Sequence, residues 1–292
     1  MQNTSYQNLI IGFGKAGKTL AGFLAKKGET VALVERSKER YGGTCINVAC
    51  IPSKSLEYSA RLSAAAGGDF AAKAERYRAA IAEKRRLTAM LRAKNYAKVT
   101  GTGAVVIDGE ASFVDAHTVR IVGADGEQTV TADRIFINTG ALPFIPSIEG
   151  AAESTHVYTS ETMMELDELP EKLVIIGGGY IGLEFASYYA NFGSSVAVVQ
   201  DGDAFIPRED KEIAARVLQH TNDRGIHILM GAKVQRIEDG AAGANVVVQT
   251  ADGEKRLAAN AILIATGRRP NIKGLNLAAA GVAVTERGAV AV

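Results

Sequence analysis

Leu9-Ile10-Ile11-Gly12-Phe13-Gly14-Lys15-Ala16-Gly17 decides the fold. Three consecutive apolar residues read as a short buried strand. A Gly-x-Gly-x-x-Gly turn follows, then a helix to about Lys27, then a second strand from Thr30 to Val34 that ends at Glu35. The order strand, glycine turn, helix, strand is a dinucleotide-binding fingerprint. Gly12, Gly14 and Gly17 permit a tight turn, close approach to a pyrophosphate and close helix–strand packing, and the helix N-terminus offers N–H groups to phosphate. Glu35 stands 21 positions after Gly14, where a carboxylate meets ribose hydroxyls.

The pattern occurs twice. Lys172 to Ile176 reads as a strand, Gly177-Gly178-Gly179-Tyr180-Ile181-Gly182 as the turn, and Ser195 to Val199 as the next strand. Gly12, Gly14, Gly17 and Glu35 map onto Gly177, Gly179, Gly182 and Gln200 at a constant offset of 165. The expected architecture is therefore α/β, with two Rossmann-like dinucleotide-binding domains, each a parallel sheet with helices plus a small antiparallel meander. Phe70 to about Lys98 reads as a scaffold helix. Ala104 to Ile137 alternates as strands do, with turns at Asp108-Gly109, Asp115-Ala-His117 and Asp125-Gly126; it predicts a meander closing on a buried strand, Arg134 to Asn138. After Gln200 come a helix, about Lys211 to Arg224, and several strands to Ile264.

The bulk numbers exclude several classes. With 292 residues, 47% hydrophobic, and a net charge of +1, the chain suits two globular domains and shows no basic surface for nucleic acid. Lys84-Arg85-Arg86 reads as one wet face of a helix. No apolar run approaches the roughly 20 residues that cross a bilayer, and Met1-Gln-Asn-Thr-Ser carries no signal-peptide pattern. The four histidines (His117, His156, His220, His227) are too scattered for metal-ligand spacing, so no metal site is expected.

Both cysteines fall in Gly42-Gly43-Thr44-Cys45-Ile46-Asn47-Val48-Ala49-Cys50-Ile51-Pro52-Ser53-Lys54. A pair at this spacing can close and reopen a small disulfide ring through a thiolate, which forms more easily at a helix N-terminus or near a cation. The helix-like run from Leu56 to Ala66 places the pair at a loop-to-helix junction. Two buried cysteines acting as small apolar side chains are the other reading. A catalytic pair without a secretion signal fits the cytoplasm.

Gly-Gly-Thr-Cys-x4-Cys-x-Pro-Ser-Lys resembles the class I pyridine nucleotide–disulfide oxidoreductases: lipoamide dehydrogenase, glutathione reductase, mercuric reductase and relatives. Tyr41 to Lys54, Phe136-Ile-Asn-Thr-Gly140, Ala190-Asn-Phe-Gly193 and Pro207-Arg-Glu-Asp210 look closest to its reactive-chlorine-resistance flavoprotein branch, which resembles metal reductases. Asn138-Thr139-Gly140 and Ala265-Thr-Gly267-Arg268-Arg-Pro-Asn271 are similar to the turns where family chains leave and re-enter the flavin domain. Ala49 departs from the family glycine at its position.

The resemblance implies an FAD-binding domain over 1–148, an NAD(P)-binding domain over 149–266, and a return to the first over 267–292. It implies hydride transfer from NADH or NADPH through flavin to a Cys45–Cys50 disulfide, then to a small disulfide or a metal ion such as Cu(II) or Hg(II). Cys45 would exchange with substrate, and Cys50 would lie against the flavin. Lys54 and Glu184 would form an ion pair beside the flavin. Gly43, Thr44, Thr139, Gly140, Gly267 and Arg268 match cofactor-binding positions. Tyr180 either covers the flavin until nicotinamide displaces it or packs under its helix. Gln200, with Asp201 and Asp203 nearby, leans towards NADH, although Arg208 is also close in sequence. Family members homodimerise through a C-terminal domain that follows a flavin-binding Gly-Asp motif. Their absence from this sequence leads to the expectation of a poorly active monomer. The alternative function is a nucleotide- or redox-sensing module with little turnover.

Overall fold

The computed structural model describes residues 3–292, so the first two residues of the polar N-terminal segment lie outside it. Two compact units emerge. One comprises the chain through Ile51, Arg86–Leu142 and Arg269–Val292; the other comprises Pro52–Arg85 and Pro143–Arg268.

In the first unit, β1 (Asn3–Ile11) leads into α1 (Lys15–Lys26) and β2 (Val31–Glu35). The short helix α2 (Thr44–Asn47) precedes α3 (Cys50–Ala66) and the long helix α4 (Phe70–Thr100), of which only the ends, through Ile51 and from Arg86, belong to this unit. Strands β3 (Val105–Asp108), β4 (Glu110–Phe113), β5 (Thr118–Gly123) and β6 (Gly126–Ile137) complete one six-stranded sheet of order β3-β2-β1-β6-β5-β4. β1 pairs in parallel with β2 and β6, whereas β5 pairs antiparallel with β4 and β6. The meander is thus not a separate sheet here. β6 is a single strand long enough to bond β5 over its first half and β1 over most of its length. Leu9 and Ile11 pack with Val34, Ile107, Val119 and Ile121 on one face. Ile10 and Leu33 pack on the other, with Ala21 and Leu24 of α1. Cover on both faces explains the unbroken apolar runs of β1 and β2. Truncating Ile10 to Ala would cost about 2–5 kcal/mol.

β7 (Ala141–Pro143) ends where the second unit resumes, and in that unit β8 (Val157–Thr159) is followed by α5 (Ser160–Met163). Then come β9 (Lys172–Ile176), α6 (Tyr180–Phe192), β10 (Ser195–Val199), α7 (Lys211–Asp223) and β11 (His227–Leu229). A meander, β12 (Lys233–Gly240), β13 (Gly243–Thr250) and β14 (Gly253–Ala259), leads to β15 (Ala261–Ile264) and β16 (Arg268–Pro270), which pairs with β7. The parallel sheet runs β11-β10-β9-β15-β8, and the meander is a sheet of its own. Its strand β13 lays Ala244, Val246 and Val248 against Val174, Ile176, Ile262 and Ile264.

Residues Pro52–Arg85 were expected in the first domain but group with the second unit. The reason is their packing on α6: Tyr77 meets Tyr189 and Phe192 ring to ring, at centroid distances of 5.8 and 5.2 Å. The Tyr77 and Tyr189 hydroxyls also bond each other at 2.9 Å. The wet face expected at Lys84-Arg85-Arg86 holds for the exposed Arg85 and Arg86 and is corrected at Lys84. Lys84 is fully buried, its ammonium on the Glu165 carboxylate, which Arg85 shares at 3.0 Å. A buried cation needs such a partner. Helix α3 starts at Cys50, earlier than the apolar run suggests. Pro52 is its third residue, where the absent N–H would have had no partner in any case.

Candidate functional site

The first turn has the expected form. Gly12 has φ +107°, and a Cβ there would lie 2.3 Å from the Asn138 carbonyl oxygen. Gly14 is the N-cap of α1 and supplies no side-chain cap, and no acidic residue stands in the first helical turn. Lys15 and Lys18 stand there instead, against the helix dipole. Lys18 reaches the Gly42 carbonyl at 3.4 Å and also bonds Asn95. Burial, followed by the charge of Lys15, holds its ammonium below the usual lysine range. An uncapped helix N-terminus with two cations beside it fits a bound pyrophosphate. Glu35 is nearly buried at the end of β2; its carboxylate accepts from Phe13 N at 3.0 Å and Ser37 N at 3.2 Å.

The cysteine segment lies against this turn. Gly43 has φ +80°, and a Cβ on it would come within 2.5 Å of Gly14 Cα, so only glycine brings the loop this close. Buried Asn47 ties the loop from inside, donating to Gly43 O at 2.9 Å and Tyr41 O at 3.1 Å. Cys45 sits in α2, and Cys50 opens α3. They are thiols, partly buried and exposed respectively. Burial and then a hydrogen bond with Cys50 push the Cys45 thiol above its ordinary value, against the pull of Lys18 and Lys15. Thr44 Oγ1 would lie 3.9 Å from a Cβ on Gly140. Asn271 fastens the turn at Thr139 and Gly140, donating from its backbone N to Gly140 O at 2.9 Å and from Nδ2 to Thr139 O at 3.2 Å.

The second unit repeats the turn. Gly177 has φ +111°, and a Cβ there would lie 2.6 Å from Ala265 O. Gly179 caps α6 as Gly14 caps α1, again without a side-chain cap or an acidic first turn. Gln200 Oε1 accepts from Gly178 N at 2.9 Å, the counterpart of the Glu35–Phe13 bond. A cavity of about 700 Å³ opens here, lined by Gly177, Gly179, Tyr180, Ile181, Gln200, Asp201, Lys233 and Gly267 among others. That volume suits a nucleotide-sized ligand.

Tyr180 is 58% exposed, which excludes the reading of an aromatic packed under its helix. Its hydroxyl donates to Glu209, whose carboxylate holds the phenol above its usual range. Gly182 lies inside the turn, where a Cβ would meet Gly177 O at 2.1 Å. Lys54 and Glu184 form an ion pair at 2.5 Å. Arg268 does not line the cavity; it pairs with Glu161 at 3.3 Å.

A family model described as pyridine nucleotide-disulphide oxidoreductase matches residues 6–292. The chain belongs to that family. Among relatives in the pyridine nucleotide-disulphide oxidoreductase family, it is 43% identical over 288 residues to the probable pyridine nucleotide-disulfide oxidoreductase RclA of Escherichia coli strain K12. That alignment covers 98% of this chain and 62% of the relative. It is 32% identical over 292 residues to a mercuric reductase of Staphylococcus aureus, covering 98% of this chain and 52% of the relative. It is 32% identical over 300 residues to a dihydrolipoyl dehydrogenase of Geobacillus stearothermophilus, covering 98% and 61%. The solved Cu(II) complex of the HOCl-induced flavoprotein disulfide reductase RclA from Escherichia coli superposes with a TM-score of 0.90 at 42% identity, over 99% of this chain and 62% of that one. The chain thus spans between half and two thirds of the length of these relatives.

Among the described residues, no helix is long and apolar enough to cross a membrane, and no group of His, Cys, Asp and Glu is placed to hold a metal ion. Three contributors escaped the sequence reading: Lys18, Asn47 and Asn138. A signal existed only for Asn138, which stands where the matching second turn has Ala265.

Proposed function

We propose that the chain is the two-nucleotide body of an FAD-dependent oxidoreductase that passes electrons from NADH to a Cys45–Cys50 disulfide, and from there to a small disulfide or a metal ion. The observation that carries this is the hydrogen-bonded thiol pair on a loop whose Gly43 abuts the first fingerprint at Gly14. When bound, FAD and the nicotinamide nucleotide would supply hydride transfer and the electrons that open the disulfide.

The chain's own residues do the rest. The N–H groups at the start of α1, with Lys15 and Lys18 beside them, would hold the FAD pyrophosphate, and Glu35 would take ribose hydroxyls. Gly43, Thr44, Thr139 and Gly140 line the flavin's approach. Gly177, Gly179, Ile181, Gly182 and Gly267 shape the nicotinamide nucleotide site, with Tyr180 at its mouth. Opening the disulfide takes two electrons and two protons and leaves both thiols. Cys45 then exchanges with a disulfide acceptor, giving up its proton, while Cys50, the first residue of α3, is the sulfur that closes the ring again. Lys54, one turn beyond Cys50 on α3 and paired with Glu184, would supply a positive charge to favour an anionic cofactor.

NADH is favoured over NADPH because Gln200 is already committed to Gly178 N and Asp201 lines the cavity. A carboxylate repels a ribose phosphate, and Lys233, the cation in the lining, is not enough to reverse that. Cu(II) is the first metal acceptor to try, since the solved relative is a Cu(II) complex. The alternative, a sensing module with little turnover, is not favoured by the family match. The test is anaerobic addition of NADH or NADPH to the flavin-loaded chain, followed by Cu(II), Hg(II) and small disulfides, with Cys45→Ser in parallel. NADH should bleach the flavin in both proteins, and only the wild type should then pass electrons to a disulfide. Equal disulfide turnover by Cys45→Ser would refute the relay.

A further inference from the structure

The two fingerprints share their backbone bonds but differ at one side chain. Where β6 ends, Asn138 N donates to Ile11 O at 2.8 Å, and where β15 ends, Ala265 N donates to Ile176 O at the same distance. Beyond this point the second unit has only a methyl group, and a Cβ built on Gly179 would meet nothing within 4 Å. In the first unit the Asn138 carboxamide enters the turn. Its Nδ2 donates to Gly12 O at 3.0 Å. The same nitrogen lies 2.7 Å from where a Cβ on Gly14 would be, and 2.6 Å from one on Gly17. The orientation of the amide is fixed by chemistry: Gly12 O can only accept, so nitrogen must face it.

Gly12 lies in a region of φ that non-glycine residues avoid, and nothing but its neighbours fixes it there. The β2 bond from Gly12 N to Val34 O, 2.8 Å, has its twin from Gly177 N to Val199 O, also 2.8 Å. The Glu35 and Gln200 bonds are twins as well. The Asn138 clasp is what the first turn has in addition.

We propose that Asn138 is a positioning residue for the first nucleotide. By pinning the Gly12 carbonyl, it holds the turn's N–H groups in binding geometry before the pyrophosphate arrives. The second turn, without a clasp, orders with its ligand. A preordered turn loses less conformational freedom on binding and releases its ligand more slowly. The clasp therefore separates a resident nucleotide, the FAD, from an exchanging one, the NADH. This rests on the assignment of FAD to the first unit.

The test uses the full flavin-loaded chain. Flavin release is followed by recovery of free-flavin fluorescence after dilution, and NADH affinity by titration, for wild type, Asn138→Ala and Asn138→Asp. One neutral hydrogen bond predicts release from Asn138→Ala on the order of three- to tenfold faster. Asn138→Asp, which sets a carboxylate against Gly12 O, should release faster still. NADH affinity should stay at the wild-type value in Asn138→Ala, and the melting temperature of the flavin-free protein should fall by no more than about 2–4 °C, the cost of one hydrogen bond. Wild-type flavin release from Asn138→Ala overturns the proposal. So does a larger loss of melting temperature with both nucleotides weakened alike, which would mark Asn138 as a general structural residue. If the wild-type chain takes up no flavin, the FAD assignment itself falls and takes the proposal with it.

Discussion

The first and second fingerprints build one backbone turn in two settings. Around Gly12 the turn is crowded: Gly43 abuts Gly14, Asn138 fills the space below, and two lysines stand at the start of α1. Around Gly177 the turn faces an open cavity of about 700 Å³ and carries no clasp. Identical glycine spacing thus says that a dinucleotide binds, and the side chains around the glycines say how it is kept. A crowded, preordered turn suits a cofactor that stays. An open one suits a co-substrate that must leave after each cycle.

The comparison breaks most visibly at the glycines themselves. Gly12→Ala forces a methyl to within 2.3 Å of Asn138 O, and Gly177→Ala forces one to within 2.6 Å of Ala265 O, both at positive φ. Backbone strain alone is worth about 1–3 kcal/mol at such a site. Flavin content should collapse in Gly12→Ala with NADH binding kept, and the reverse should hold for Gly177→Ala, as read by absorbance and by NADH titration. Loss of both ligands from either variant would deny the two units their separate roles.

A smaller effect is expected at Lys54 and Glu184. Their side chains are 62% and 47% exposed, so the pair contributes no more than about 1 kcal/mol to stability. In the proposed relay its value is catalytic. Lys54→Met and Glu184→Gln should each slow flavin reduction by NADH by about tenfold, with the double variant no slower than either single one. Stopped-flow rates that multiply in the double variant would show two independent charges.

Smaller again is a pH effect at Cys45. Burial and the Cys50 hydrogen bond favour its protonated, neutral form, while Lys18 favours the thiolate. Alkylation by iodoacetamide follows the thiolate, so its rate profile should have a midpoint above that of an ordinary thiol. Lys18→Met should move that midpoint further up; a downward shift would show that Lys18 acts on the thiol in the opposite sense.

How much of this could be read from the sequence depended on whether backbone or side chains carry the feature. Glycine spacing, apolar runs and the offset of 165 between the repeats are backbone demands, and they placed both turns and the acceptors Glu35 and Gln200. The Cys45–Cys50 pair was equally legible, because Gly42-Gly43 and Pro52-Ser-Lys54 bracket it. Features made by side chains from distant segments were not. Lys84 looked solvated because its partner, Glu165, lies 81 positions away. Asn138 read only as the first residue of the turn that leaves the first domain, because its bond to Gly12 spans 126 positions. The alternation also gave the first meander closing on β6, whose length lets one strand serve both pairings in a single sheet.

The claim that two like turns hold unlike nucleotides is tested most directly by amide hydrogen exchange, read separately over residues 12–18 and 177–183. FAD should slow exchange in the first segment only, and NAD⁺ in the second only. Before any ligand is added, the first segment should already exchange more slowly than the second. Protection of the same segment by both nucleotides, or equal exchange in the two segments of the free chain, would contradict the account.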